Sequence, residues 1–345
     1  MARLFTAGAE EGSYRALIDL WNAGQLGSYT LVSSPGMPRT GNYCYYLAGS
    51  GAQLRAAIPC STSDLYMGFA CYLTNFGNTY NAYRGANLIY FPFADCGITI
   101  VPGYGMAGFY GSTLVGPTFS VPINAWFYVE LYIKPMSTSG GRLTIKINGA
   151  TVCDVTQQTA SATVNPSQVY IMAPTGMWSS TWYYQNAYFD DIVVNDTSGA
   201  TNNSWPGMVR LFPILTRGVG DLQQMSRKGL DLGYNNGQTR EAGSGISWLE
   251  GSSSGLTDLS YMDAPTLPAG AAVSNIIVEV HSRTQLGAAT VKPVLKSGST
   301  QSDGAAIAAP ASWGVQQQAW PLDPATGSAW TLGALATIQA GAKIG

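Results

Sequence analysis

Apolar and polar residues alternate with a period of two through much of the chain. Over 65–74, Leu65, Met67, Phe69, Cys71 and Leu73 fall on one side. Over 126–134, Phe127, Val129, Leu131 and Ile133 share one side, and Trp126, Tyr128, Glu130, Tyr132 and Lys134 the other. Over 142–148, Leu143, Ile145 and Ile147 alternate with Arg142, Thr144, Lys146 and Asn148. Successive side chains of a strand point to opposite faces, so each pattern predicts a half-buried β-strand. Asn148-Gly149 suits the positive φ angles of a tight hairpin turn, with 150–155 as the returning strand.

The second half has the same habit. Ile276, Val278 and Val280 alternate with Ile277, Glu279, His281 and Arg283, and a further strand is predicted at 290–296. Pro293 inside that strand lacks a ladder donor, which predicts a sheet edge. One short C-terminal helix is predicted over 331–340, with Thr331 as cap, Leu332, Leu335 and Ile338 on one face, and Gly341 as the stop. Short strands between Gly, Pro, Ser and Asn turns, with little helix, predict an all-β protein of two tandem jelly-roll-like β-sandwich domains. Residues 196–206, DTSGATNNSWP, are polar, turn-forming and aperiodic. The expected division is a first domain over 1–196, a linker over 197–208 and a second domain over 209–345.

Composition sharpens this picture. In 345 residues only 10% are charged and the net charge is -2, against about 25% charged in an average soluble protein. A nearly neutral surface keeps chains apart poorly, which fits a protein that ends in an assembly. The 17 Lys and Arg are scattered, so no basic patch points to nucleic acid. The N-terminus, MARLFTAGAEEGSYRA, has no apolar stretch of signal-peptide length, and no run approaches the about 20 apolar residues of a membrane helix. Synthesis in the cytoplasm without membrane insertion is therefore expected. Five cysteines, Cys44, Cys60, Cys71, Cys96 and Cys153, form no CxxC pair and read as buried thiols.

Candidate chemistry fails on context. Gly103, Gly105 and Gly108 match GxGxxG, but FYGSTLVGPTFSV follows in place of the helix a dinucleotide site needs. Gly251, Ser253 and Gly255 match GxSxG without a strand-then-helix setting, and nothing brings the single histidine, His281, to Ser253. Glycoside hydrolysis usually needs two carboxyl groups across the scissile bond. Glu130 has Tyr128 and Tyr132 at i±2, and Glu10-Glu11 and Asp190-Asp191 are adjacent residues that alternation sends to opposite faces. Asp190, Asp191 and Asp196 together offer oxygen ligands for Ca²⁺, against a competing reading of hydrogen bonding at a strand end and turn. Two aromatic groups, Trp178, Trp182, Tyr183 and Tyr184, and Trp313, Trp320 and Trp330, suit core packing, interface burial or sugar stacking. No catalytic residue and no cofactor are expected.

Four segments carry a family resemblance. NAWFYVELYIKP, GRLTIKINGATVCDV, NAYFDDIVVNDTSGATNNSWPGMVRLFP and the ending DPATGSAWTLGALATIQAGAKIG resemble, in order, phage structural proteins with an N-terminal concanavalin A-like (LamG-type) jelly roll and a C-terminal β domain. The match is strongest over 124–210 and 320–345 and loose over 215–265. The resemblance implies a non-enzymatic bacteriophage virion component, a tail-fibre or baseplate appendage or a capsid decoration. Its partners would be other virion proteins, in a homo-oligomer or multi-copy assembly. It implies a structural role for the paired Asp190 and Asp191. A carbohydrate-binding module that recognises host surface glycans is the alternative.

Overall fold

A computed structural model of the chain describes residues 3–9, 25–32, 38–57, 64–74, 87–92, 94–101, 105–111, 113–134, 140–157, 168–172, 175–178, 181–184, 187–229, 247–285 and 287–345. The protein is nearly all β and divides into two compact units, Met1–Leu211 and Phe212–Gly345.

Unit 1 holds β1 (Arg3–Ala7), β2 (Gln25–Val32), β3 (Cys44–Ala57), β4 (Leu65–Leu73), β5 (Asn87–Phe91), β6 (Cys96–Val101), β7 (Gly105–Tyr110), β8 (Thr113–Phe119), β9 (Trp126–Lys134), β10 (Gly141–Ile147), β11 (Ala150–Gln157), β12 (Gln168–Met172), β13 (Thr175–Trp178), β14 (Thr181–Tyr184) and β15 (Ala187–Asp196). Antiparallel pairing runs in the order β11-β10-β9-β4-β15-β3-β12-β5-β6-β7-β8, with β1 on β15 and β2 on β3. The long strand β3 joins the two layers: Tyr45–Leu47 pair with β15 and Gln53–Ala57 with β12. The path then folds back, so that β7 and β8 lie over β10 and β11. Small residues permit this approach: a Cβ on Gly116 would sit 2.6 Å from Cys153 Sγ, and one on Gly108 3.2 Å from Leu143. The alternating apolar residues of β4, β9 and β10 all face inward, with Leu65, Met67, Phe69, Val129, Leu131 and Ile145 fully buried. Cys44, Cys71, Cys96 and Cys153 are buried, and Cys60 lies outside the described residues. Asn148 (φ 49°) and Gly149 (φ 82°) close the β10–β11 hairpin in the two-residue geometry that demands positive φ at both positions.

Unit 2 holds β16 (Thr216–Gln223), β17 (Ser226–Gly229), β18 (Ser247–Glu250), β19 (Thr257–Met262), β20 (Ile276–Ser282), β21 (Thr290–Ser297), β22 (Thr300–Asp303), β23 (Ile307–Ala308), β24 (Gly314–Trp320), α1 (Leu332–Leu335) and β25 (Gln339–Ile344). The main sheet runs β16-β19-β25-β21-β22, with β23 also on β21, and the β20–β24 pair packs against it around Ile276, Val278, Leu295, Trp320, Trp330 and Ile338.

Two expectations change here. Pro293 lies on an interior strand, because β21 pairs with β25 on one side and with β22 and β23 on the other. Its carbonyl accepts from Gly304 N at 2.8 Å, and a strand residue presents N and C=O to the same side. The missing N–H therefore faces the interruption between β22 and β23, where no ladder bond is lost. The helix is one turn long. Thr331 Oγ1 does accept from Ala334 N at 3.2 Å, but Thr337 Oγ1 takes the Ala334 carbonyl, and 339–344 join the sheet. Gly341 sits at the centre of β25, where a Cβ would lie 1.9 Å from the Asp258 carbonyl oxygen. The glycine serves close strand approach rather than helix termination.

Candidate functional site

The polar chemistry of unit 1 collects on the outer face of the β3-β15-β4-β9-β10 layer. On β9 this face carries Trp126, Tyr128, Glu130, Tyr132 and Lys134, and on β4 it carries Tyr66, Gly68, Ala70 and Tyr72, as the registers Tyr66↔Tyr132 and Tyr72↔Trp126 require.

A carboxylate–guanidinium cluster occupies the middle. Between Asp190↔Ala70 and Val193↔Gly68, β15 advances three residues while β4 advances two, which is a β-bulge. Asp191 takes the left-handed conformation there, φ 51°. Alternation alone would separate the two adjacent carboxylates; the bulge brings both to one Arg39–Thr40 segment. Asp190 Oδ2 accepts from Arg39 N (3.0 Å) and Thr40 N (3.1 Å), and its Oδ1 from Asp191 N (2.8 Å). Asp191 Oδ2 accepts from Arg39 Nη1 (2.5 Å) and Thr40 Oγ1 (3.1 Å), and its Oδ1 from Leu211 N (2.7 Å). Both carboxylates are fully buried. Burial raises the Asp191 pKa, against the lowering effect of Leu211 N–H, Arg39 and Thr40. The Arg39 guanidinium also lies 5.0 Å from the Tyr128 ring centroid and donates to the Val209 carbonyl at 2.7 Å.

Segment 197–211 is strapped over this face. Gly207 N donates to Glu130 Oε1 at 2.8 Å, and Asn195 Nδ2 to the Ser204 carbonyl at 2.9 Å. Trp205 lies 5.4 Å from the Tyr66 ring and 6.3 Å from the Tyr132 ring, with Lys146 Nζ 3.7 Å from its own centroid. Arg3 donates to Asn195 Oδ1 (2.6 Å) and Asn202 Oδ1 (3.3 Å), and burial lowers its pKa to about 10. Tyr128 Oη is buried without a hydrogen-bond partner among the described residues, and burial, followed by Asp191, raises its pKa.

At the other end of the face four aromatic rings cross four strands in one row. Tyr46 stacks on Tyr188 at 4.6 Å, Tyr188 meets Tyr72 edge-on at 5.7 Å, and Tyr72 meets Trp126 at 5.7 Å. All four are half-buried. The registers Tyr188↔Tyr46, Tyr188↔Tyr72 and Tyr72↔Trp126 place them side by side. The row is not legible in the sequence, because its members are single tyrosines and one tryptophan on four distant strands. The legible signal is the aromatic residues on the non-core side of two alternating strands, Tyr66 and Tyr72 on β4 and Trp126, Tyr128 and Tyr132 on β9.

The other sequence candidates disperse. Asp196 caps the end of β15, accepting from Ser198 N (2.9 Å) and Ser198 Oγ (2.6 Å). Among the described residues no three His, Cys, Asp or Glu side chains gather as a metal site. Trp178, Trp182 and Tyr184 lie on the β13–β14 hairpin, and their side chains fall outside the described residues. Trp320 and Trp330 are core residues: Trp320 Nε1 donates to Ser302 Oγ (2.9 Å) and Trp330 Nε1 to the Trp320 carbonyl (2.8 Å). Trp313 is half-buried beneath Arg283, whose guanidinium is 5.1 Å from the ring. Gly105 and Gly108 of the GxGxxG match lie on strand β7, Gly251–Gly255 form the turn before β19, and His281 Nε2 contacts Glu279 Oε1 at 3.0 Å. Glu10 and Glu11 lie outside the described residues. No described helix is long and apolar enough to cross a membrane.

No family model and no curated protein matches the chain. Solved structures similar to it include the binding domain of Paraclostridial mosquitocidal protein 1, at TM-score 0.41 and 11% identity, covering 56% of this chain and 48% of that one. An endo-β-1,4-glucuronan lyase from Trichoderma reesei has TM-score 0.35 and 15% identity, with 56% of this chain and 95% of that one covered. The binding domain of botulinum neurotoxin DC, solved in complex with SialylT, has TM-score 0.38 and 11% identity, with 56% and 48% covered. The chain thus spans about half the length of the two toxin domains.

Proposed function

We propose that the chain is a non-enzymatic structural component of a bacteriophage particle, a tail-fibre or baseplate appendage or a capsid decoration, that assembles with other virion proteins through its surfaces. One observation carries the reading: the unit 1 segments that bear the phage-protein resemblance all do structural work here. NAWFYVELYIKP contains β9, GRLTIKINGATVCDV is the β10–β11 hairpin, and NAYFDDIVVND contains β15, whose two Asp residues hold Arg39, Thr40 and Leu211 in place. On the same face Glu130 accepts from Gly207 N in the strap, Asp64 accepts from Tyr132 Oη at 2.7 Å, and Asp154 accepts from Arg142 and Thr144. A general acid or base needs a proton path to a substrate atom, and these carboxylates are already committed to the chain's own donors. The low charge of the surface favours a fixed place in an assembly over a dispersed life. Quantitative mass spectrometry of gradient-purified particles tests this. A constant copy number per particle is expected, and particles free of the chain would overturn it.

The aromatic row favours a second reading within the same setting, recognition of a host surface glycan. Aromatic faces combine large apolar area with a polar tip, which suits a ligand apolar on one side and hydroxylated at its rim. Under either reading, polysaccharide incubated with the chain gains no new reducing or unsaturated ends. Appearance of such ends would overturn the non-enzymatic part of the proposal.

A further inference from the structure

Resting on the glycan reading, we infer that the row Tyr46–Tyr188–Tyr72–Trp126 is the binding site, and that its ligand is a neutral oligosaccharide lying across the strands. Three observations select this occupant.

The first is area. Aromatic side chains offer about 150–250 Å² each, so four half-buried rings expose at most roughly 500 Å². A stable protein partner needs about 800 Å² on each side. The row is too small for a second copy and adequate for a chain of a few sugars.

The second is charge. The row is formed by four uncharged side chains. Lys134, the cation of β9 on this face, stands eight residues along the strand from Trp126, roughly 26 Å away. Three further described cations of the face are engaged elsewhere. Arg39 is bound to Asp191 and the Val209 carbonyl, Arg3 to Asn195 and Asn202, and Lys146 lies over Trp205. A sialylated, sulfated or phosphorylated ligand finds no matching cation there among the described residues, whereas a neutral sugar needs none. Tyrosine hydroxyls donate to and accept from sugar hydroxyls.

The third is geometry. Neighbouring strands are about 4.8 Å apart, so four strands set the rings along roughly 14 Å, perpendicular to the strands. The Tyr188 and Tyr72 ring planes differ by 88°, so the row is not the single flat platform that a crystalline surface needs, and suits a flexible single chain instead. Because the rings project from a sheet face, addition of a peptide strand at an edge does not use them.

The test uses the full chain and an array of neutral glucan, galactan and mannan hexasaccharides, with sialylated and sulfated oligosaccharides alongside. Binding to at least one neutral hexasaccharide is expected. Tyr72→Ala and Trp126→Ala should each weaken it at least about tenfold, and Trp313→Ala should leave it unchanged. Tyr72→Phe keeps the ring and preserves the fold; it should lose less than Tyr72→Ala, with melting temperature as the folding control. Trp126 fluorescence should shift on titration with the bound hexasaccharide, and a Trp126→Phe variant should lack that shift. Neutral binding untouched by the row variants would overturn the site and leave the glycan reading standing. Preference for the anionic probes would overturn the neutral class. No binding to any probe would remove both the site and the glycan reading. A concentration-dependent dimer abolished by Tyr72→Ala would make a second copy the occupant and overturn the proposal.

Discussion

Asp191 carries several constraints at once. It is a fully buried carboxylate in a left-handed backbone conformation, and it binds Arg39, Thr40 and Leu211 together. A buried ion pair contributes little net stability, but removal of one partner strands the other. Asp191→Ala should therefore lower the unfolding free energy by about 3–5 kcal/mol in urea titrations. The pH dependence follows from burial, which holds the Asp191 pKa above its ordinary value in the folded state. The folded state then binds this proton more tightly than the unfolded chain does. Stability from this group is complete below the ordinary carboxylate range and is lost as pH rises through the raised value. The advantage of the natural chain over Asp191→Asn should narrow as pH rises from about 4 toward 7, measured by urea unfolding across that range. The thiols report on packing in the same way. Burial raises the pKa of Cys71 and Cys96, and Cys44 and Cys153 are buried as well. In a Cys60→Ser variant, a thiol reagent at pH 8 should label none of these four before denaturant is added and all of them after.

Among the elements, β25 depends on glycine. With Asp258 backbone 1.9 Å from a Cβ at position 341, Gly341→Val forces β19 and β25 apart. A loss of about 1–3 kcal/mol or more is expected in denaturant unfolding of unit 2. This position also shows what the chain pattern hides. Alternation located β4, β9, β10 and β20, because the core-facing positions of each strand are uniformly apolar. It misplaced Gly341, since a glycine that ends a helix and a glycine that admits a neighbouring strand look alike in one dimension. Likewise the Asp190-Asp191 pair reads as two opposite faces until the extra residue of the bulge is known. The aromatic row was invisible for a related reason: Tyr46, Tyr72, Trp126 and Tyr188 become neighbours only through strand pairing, whereas Trp178 and Trp182 drew attention by being close in sequence.

For the whole molecule, the compact unit continues through Leu211, and segment 197–211 ties to it through Glu130, Arg39, Asp191, Tyr66 and Tyr132. A fragment of residues 1–211 should melt higher than one of residues 1–196, which loses all of these contacts; equal melting temperatures would show that the strap adds nothing. The proposed virion role gives both β units a place in an assembly and no chemistry to perform. Cryo-electron microscopy of purified particles tests it most directly. The account predicts repeated density at a fixed position on the particle into which each unit fits. Complete, infectious particles that lack this density and this chain would contradict it.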